Sequence, residues 1–400
     1  MSGLAGVPGN PLFESRVYAI THAAIHDALN AIDRRYEPYA FHGSVTPGAS
    51  PEAAVATAAY QVLINQFNLL RAYDFPSQQA MLDAAYTSSL ALIPNGPAKV
   101  QGIAVGTSAA NAILRLRAND GWDKQVLLDT GYPQGTAPGE FRFIPGTNFA
   151  FLPMWGNLPP FALFRANQFR PGPPHRIDSN RYAEDFNEIK DLGGDGVTTP
   201  SARTPEQTQI ALFWLESAPL GWNRIARILA ASTRLGLWES ARLHGLLNLA
   251  LADGYITNWD TKHHYNRWRP ITAIREAATD GNPDTKADPR WTSLAPTPPG
   301  PEYDSGHALE GGAAAAIFKR FFGTDNISFA TCSTTLPAVS TCNDPKPVTR
   351  SFTSFSQAAR ENALSRILVG YHFRNAINRG LRHGRKVGRH TFEQFLRPLR

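Results

Sequence analysis

The sequence predicts an all-α protein. Apolar residues recur at intervals of three and four through most of its 400 residues, the period of a helix that buries one face. Helix-start signals stand ahead of several of these stretches. Few stretches alternate apolar and polar residues as half-buried strands do.

Taken in order, "SRVYAITHAAIHDALNAIDRR", from Ser15, predicts an amphipathic helix to about Arg34. Helices are predicted over 51–71, 77–93 and 97–118, the first opened by "SPEAA", a serine cap, a first-turn proline and a glutamate. From about 120 to 205 the period breaks, and Pro, Gly and aromatics crowd "YPQGTAPGEFRFIPGTNFAFLPMWGNLPPFALF". A loop that long in a compact domain is usually functional or wraps another element. Helical period returns at "TPEQTQIALFWLES", where Thr204 caps, and holds through "GWNRIARILAASTRLG" and "LWESARLHGLLNLALADGYITNWDTKHHYNRWRP". It resumes in "HALEGGAAAAIF", in "SFTSFSQAARENALSRILVGYHFRNAINRG" and in the tail. The expected organisation is a helical part over 1–125, an irregular cover over 126–205 and a helical bundle over 206–400, packed as one domain.

The composition, 42% hydrophobic and 18% charged, is that of a soluble globular chain, and no apolar run reaches the roughly 20 residues of a membrane span. A net charge of +6 fits an anionic ligand, a membrane surface or nucleic acid. The basic tail "NRGLRHGRKVGRHTFEQFLRPLR" holds no recognised nucleic-acid reader and is expected to be a solvated helix face. Cys332 and Cys342 lie in a Ser/Thr/Pro-rich stretch and are expected to be bridged, which implies an oxidising compartment, periplasmic or secreted. "MSGLAGVPGNPLF" has neither the cationic start nor the apolar core of a signal peptide, so that placement needs a leader already removed; a cytoplasmic protein with free thiols is the alternative.

The chemistry-bearing residues lie in the C-terminal half. Lys262 and Arg269 are seven apart in "KHHYNRWRP", two turns along one face if the helix continues, among Trp259, Tyr265 and Trp268. Pro270 then ends or kinks that helix. Ser305, Gly306 and His307 open the next helix, where free N–H groups and the helix dipole favour an anion. Alone, that triplet fits an ordinary serine cap and a surface histidine. Arg366 and His372 are six apart, about 120° round an ideal helix, so either the arginine curls back or the helix distorts near Gly370 for both to reach one ligand.

In this order the residues resemble the motifs of the vanadium-dependent haloperoxidase and type 2 phosphatidic acid phosphatase (PAP2) superfamily. The pattern is K-x6-R-P, P-S-G-H and S-R-x5-H, and the chain supplies Lys262, Arg269, Pro270, Ser305, Gly306, His307, Ser365, Arg366 and His372. "NWDTKHHYNRWRPITAI" and "PPGPEYDSGH" look most like bacterial members of the chloroperoxidase-like branch. The resemblance implies a helical bundle around vanadate. Lys262, Arg269, Ser305, Gly306 and Arg366 would hold the oxygens, His372 would be the metal ligand and His307 the acid and base. It implies halide oxidation by hydrogen peroxide, or, with phosphate in the same pocket, hydrolysis of a phosphate ester through a phosphohistidine. A non-catalytic anion- or nucleic-acid-binding helical protein is the reading from another class, and it would not need two histidines in register with three cations. The expected partners are therefore peroxide and halide, or a phosphate ester, with no nucleic acid and no membrane insertion.

Three positions depart from the pattern. Asp304 stands where proline precedes the serine, and an acid there must point away or pair with a cation. Ala376 stands four past His372, where many members carry Asp, so another acceptor must orient the imidazole. Gly300 stands where haloperoxidases of the branch tend to carry an aromatic or histidine on the halide side, which puts halide choice in question. Trp259 matches a tryptophan lining that side, and also fits core packing. His22 and His26, four apart on one helical face, show no third metal ligand; His263 and His264 follow Lys262 directly and are candidates for the pocket rim with no role assigned.

Overall fold

The computed structural model describes residues 10–69, 76–337 and 341–399. The first nine residues, which bear on the question of a leader, and the last two residues of the helix expected over 51–71 lie outside the described residues. Among the described residues the helices are α1 (Pro11–Asn30), α2 (Pro51–Leu69), α3 (Pro76–Ala91), α4 (Pro97–Leu116), α5 (Asn180–Leu192), α6 (Pro205–Phe213), α7 (Ala218–Ser232), α8 (Leu237–Tyr265), α9 (Pro270–Arg275), α10 (Gly306–Phe322), α11 (Phe355–Leu368) and α12 (Arg374–Gln394). No helix among them is long and apolar enough to cross a membrane.

Two compact units divide the chain. One comprises Met1–Asp120, Pro219–Ala252 and Arg389–Arg400; the other comprises Gly121–Ala218 and Asp253–Gly388. In the first, α1 opens on Asn10, whose side chain accepts from Leu12 N at 3.1 Å, and buries nearly its whole length. Ser50 caps α2 as expected, accepting from Ala53 N at 3.2 Å. Gly102 of α4 lies so close to α2 that a Cβ there would stand 2.5 Å from the Ser50 carbonyl oxygen.

The second unit holds every residue singled out as chemical except His22 and His26. Its strands form two short antiparallel ribbons, β1 (Leu128–Asp129) with β2 (Ala150–Phe151), and β3 (Phe329–Thr331) with β4 (Arg350–Phe352). The stretch expected to be irregular contains α5, capped by Ser179 and burying Tyr182, Ala183, Phe186 and Ile189. Those residues recur at helical spacing; the surrounding Pro and Gly obscure them.

Lys262 and Arg269 do not share a helical face. α8 ends at Tyr265, Asn266 takes φ 45°, and Arg269 is extended as the cap of α9, where Pro270 occupies the first turn. The cause is local: a residue before proline is pushed out of the helical region, and proline suits a helix start because its missing N–H would have had no partner there.

α10 and α12 meet through glycine. Gly380, Gly384 and Gly388 repeat every four residues on α12, and a Cβ on each would strike the carbonyl oxygens of Ser305, Leu309 and Ala313 in turn, the first at 2.6 Å. The basic tail therefore has two faces. Arg382, Arg385 and Lys386 are exposed, and the glycines on the buried face set the backbone against the thin Gly/Ala face of α10.

Candidate oxyanion site

Ser305 is the N-cap of α10, yet its side chain makes no capping bond. The hydroxyl is buried and has no hydrogen-bond partner. A cap serine ordinarily satisfies a first-turn N–H; this one is left for something else. Gly306 opens the helix, and a Cβ there would stand 3.1 Å from Asn258 Oδ1, tighter than ordinary van der Waals contact.

Three buried cations gather at this helix start. Arg269 donates through Nε to Gly300 O at 2.7 Å and through Nη1 to Tyr371 O at 3.2 Å, and Nη1 also lies 3.2 Å from His372 Nε2. Arg366 donates through Nη1 to Trp214 O at 3.0 Å, stacks its guanidinium carbon 4.8 Å over the Tyr371 ring and leaves Nε buried without a partner. Burial draws both arginines down to about 10. Lys262 donates Nζ to the carbonyls of Pro301, Glu302 and Asp304 at 3.1, 2.9 and 2.7 Å. Its ammonium thus shapes the chain leading to Ser305, and reaching an oxyanion requires exchanging one of those bonds. Burial and then the Arg269 charge hold its pKa well below the ordinary lysine range.

His372 lies past the end of α11, one of the two arrangements that the spacing allows. α11 stops at Leu368 and Gly370 takes φ +86°, with Gly193 O 2.6 Å from where a Cβ would stand, so only glycine fits. That turn brings His372 to the Arg269 side chain. Burial and the charges of Arg269, Lys262 and Arg366 hold the imidazole neutral, well below its ordinary pKa.

The acceptor that position 376 lacks is Glu302. Its Oε1 lies 3.0 Å from His372 Nδ1 and accepts Phe373 N at 3.1 Å. With Oε1 accepting, the ring proton belongs on Nδ1 and Nε2 keeps its lone pair beside Arg269. Burial raises the Glu302 carboxyl to about 7 against the opposing charges of Lys262 and Arg269.

Asp304 points away from the cations. Asn258 Nδ2 donates to its backbone oxygen at 2.9 Å and to Oδ1 at 2.6 Å, while Oδ2 lies 3.0 Å from His383 Nδ1. His383 Nε2 is in turn 2.9 Å from Thr257 Oγ1. The acid that the sequence sets beside the anion site is tied instead to α8 and α12.

His307, on the first turn of α10, lies 3.1 Å from Glu216 O through Nε2, and its backbone carbonyl accepts Asn362 Nδ2 at 3.1 Å. Burial and then Arg366 lower its pKa, against the pull of the Glu216 carbonyl. Trp259 is half-buried, with Nε1 3.4 Å from Phe151 O, and a Cβ on Gly300 would meet nothing within 4 Å. Of the other histidines, His263 sits 3.0 Å from Tyr132 OH and is drawn to about 4 by burial and by Lys262, and His264 is exposed. His26 bonds Asp27 at 3.0 Å, and His22 stacks on His244 with ring centroids 5.2 Å apart.

Known proteins resemble this chain in sequence and in fold. Residues 242–400 match the family described as the VCPO second helical-bundle domain. The vanadium chloroperoxidase of Curvularia inaequalis is 30% identical over an alignment of 236 positions that covers 46% of this chain and only 38% of that protein's length. A bacterial vanadium-dependent iodoperoxidase structure superposes with a TM-score of 0.77 at 26% identity, covering 97% of this chain and 92% of its own. Over residues 242–400 the chain is similar to the second helical-bundle domain of the vanadium chloroperoxidases, and its fold is that of the vanadium haloperoxidases. Two forms of a bacterial vanadium-dependent chloroperoxidase, apo and holo, share the fold at TM-scores of 0.76 and 0.74 with 18% identity; they cover 96% and 98% of this chain and 94% and 95% of their own.

The relatives above are named for vanadium, and vanadate is an oxyanion. The residues present suit it: an unpartnered hydroxyl and guanidinium Nε, further arginine and lysine donors, and one imidazole whose ring nitrogen is held unprotonated. Sequence reasoning missed Glu302, Asn258, Tyr371 and the Trp214 and Glu216 carbonyls. Glu302 lies inside "PPGPEYDSGH", and its signal is a carboxylate three residues before the serine. The two carbonyls carry no sequence signal.

Proposed function

We propose that this protein oxidises halide with hydrogen peroxide at a vanadate bound by His372. The observation that carries the reading is the buried Ser305 hydroxyl, unused by its own helix and set among Lys262, Arg269 and Arg366. Three buried basic side chains around an unpartnered hydroxyl and guanidinium Nε leave donors that an oxyanion satisfies.

Each side chain has its task. His372 Nε2 is the ligand atom, fixed by Glu302 at Nδ1. Ser305 Oγ, the Gly306 N–H, the Arg269 guanidinium and Arg366 Nε are donors to non-bridging oxygens, with Lys262 adding charge. His307 donates its Nε2 proton to Glu216 O, so Nδ1 is the atom that takes and returns a proton during turnover. Vanadate, when bound, supplies a Lewis acid of fixed oxidation state that activates peroxide toward halide. Trp259 and the open space at Gly300 line the proposed halide side. The Cys332–Cys342 bridge, with Cα atoms 5.2 Å apart, supports a periplasmic or secreted setting.

The test is a paired assay on purified protein. Vanadate-loaded protein is expected to oxidise iodide, bromide or chloride with peroxide, and vanadate-free protein is assayed for hydrolysis of an aryl phosphate. Phosphate release with no halide oxidation at any pH would overturn the proposal. Independently of turnover, vanadate should raise the melting temperature, because a ligand that binds only the folded state stabilises it. His372→Ala should abolish that rise.

A further inference from the structure

A helix leaves its last carbonyls without partners inside the helix. Past the end of α6 these groups are used from two sides. On one side hang site residues: Trp214 O accepts Arg366 Nη1 at 3.0 Å and Glu216 O lies 3.1 Å from His307 Nε2. On the other side stand three consecutive residues of the loop closed by Cys332 and Cys342. Thr335 Oγ1 donates to Leu212 O at 2.8 Å and Ser333 Oγ to Phe213 O at 2.7 Å. Thr334 donates to Glu216 Oε1 through N at 3.1 Å and through Oγ1 at 2.6 Å. The loop is closed on itself as well, since Cys342 N donates to Ser333 O at 2.9 Å beside the disulfide.

We infer that residues 333–335, next to the Cys332–Cys342 bridge, are a positioning element for His307 and Arg366, acting through Thr334 on Glu216 and through Ser333 and Thr335 on the end of α6. The inference rests on the proposed role of His307 in proton transfer. Residues 214–216 belong to no helix or strand, so no backbone ladder fixes the two carbonyls that hold the site. The carboxylate of Glu216 is buried and anchored by Thr334. With those two bonds lost the carboxylate is held less firmly, and the carbonyl that fixes the His307 ring is held less firmly with it.

Thr334→Val removes the hydroxyl and keeps the shape; Cys332→Ser with Cys342→Ser opens the loop. Both are expected to lower kcat for halide oxidation by about tenfold, a fraction of what a well-placed acid and base contributes, with the halide KM within about twofold. In vanadate-free protein, amide exchange at 214–216 should quicken and the ring nitrogen resonances of His307 should lose their single tautomer. Thr334→Ser should restore both readouts, which separates a lost brace from a misfolded chain. Unchanged exchange and an unchanged His307 tautomer in both variants would overturn the inference. A wild-type protein that oxidises no halide defeats the functional reading instead, and the vanadate-free measurements still decide whether the loop holds the ring.

Discussion

Glu302 Oε1 lies 3.0 Å from His372 Nδ1, with the carboxylate 1% and the imidazole 6% exposed. The pair comes from two separate stretches of chain, and Phe373 N, at 3.1 Å from the same oxygen, fixes it as an acceptor.

Removing that acceptor should weaken the ligand more than the fold. Glu302→Ala leaves a buried ring N–H without a partner, and vanadate affinity should fall roughly 10- to 100-fold, as for other groups that orient metal-binding histidines. Glu302→Gln keeps an acceptor without charge and should fall between. Titrating vanadate into each variant, followed by melting temperature, gives the order; a wild-type affinity in Glu302→Ala would show that His372 is oriented by something else.

Supplying an acid at position 376 should harm this protein. Ala376 is fully buried and lines a cavity of about 10 Å³, room for about one water, beside Glu302, Asp185 and Arg267. Ala376→Asp adds a third carboxylate to a lining whose arginine already donates to the His175 carbonyl, and it should cost on the order of 3 kcal/mol in urea unfolding, as an unpaired buried charge does. Equal or greater stability would mean that Arg267 turns to meet the new acid.

How much of this is legible in the sequence follows from how local each cause is. The motif positions are readable because the chemistry fixes residue type and spacing, while the rotation between Arg366 and His372 leaves either a curled arginine or a break at Gly370, and the structure takes the break. The path of Arg269 is not, because Pro270 marks a helix end in the sequence while α8 has already stopped at Tyr265. Glu302 and Asp304 are visible as acids, but which of them faces the imidazole depends on Asn258 and His383, 44 residues before and 81 after Glu302 by residue number. The glycines of α12 are hidden among cations, although their spacing of four is the pattern of a close helix contact.

Acid should loosen the unit that holds α1. His22 and His244 stack with centroids 5.2 Å apart. Burial lowers both pKa values; for His22 the next causes are His244 and then Arg227, and for His244 Arg227 opposes the Ser240 carbonyl. A histidine whose folded pKa lies below its unfolded value of about 6.5 contributes stability above that pH and loses it as pH falls, because the unfolded chain binds the proton first. Unfolding free energy should therefore drop between about pH 6.5 and 5. His22→Phe should keep more of its stability across that window; parallel pH profiles for the two proteins would remove the pair as a cause.

Gly300 should accept a large side chain without cost to the fold. Its carbonyl accepts Arg269 Nε at 2.7 Å, a bond that any residue can make, and a Cβ would meet nothing within 4 Å. Gly300→Phe should change stability by no more than about 0.5 kcal/mol, the range for substitutions that disturb no packing. The ring would occupy the open space at Gly300 and exclude water from the proposed halide side, which strengthens charge interactions there. The ratio of bromide to iodide oxidation should therefore shift while vanadate affinity holds. A changed vanadate affinity with an unchanged halide ratio would place Gly300 on the oxyanion side of Arg269 instead.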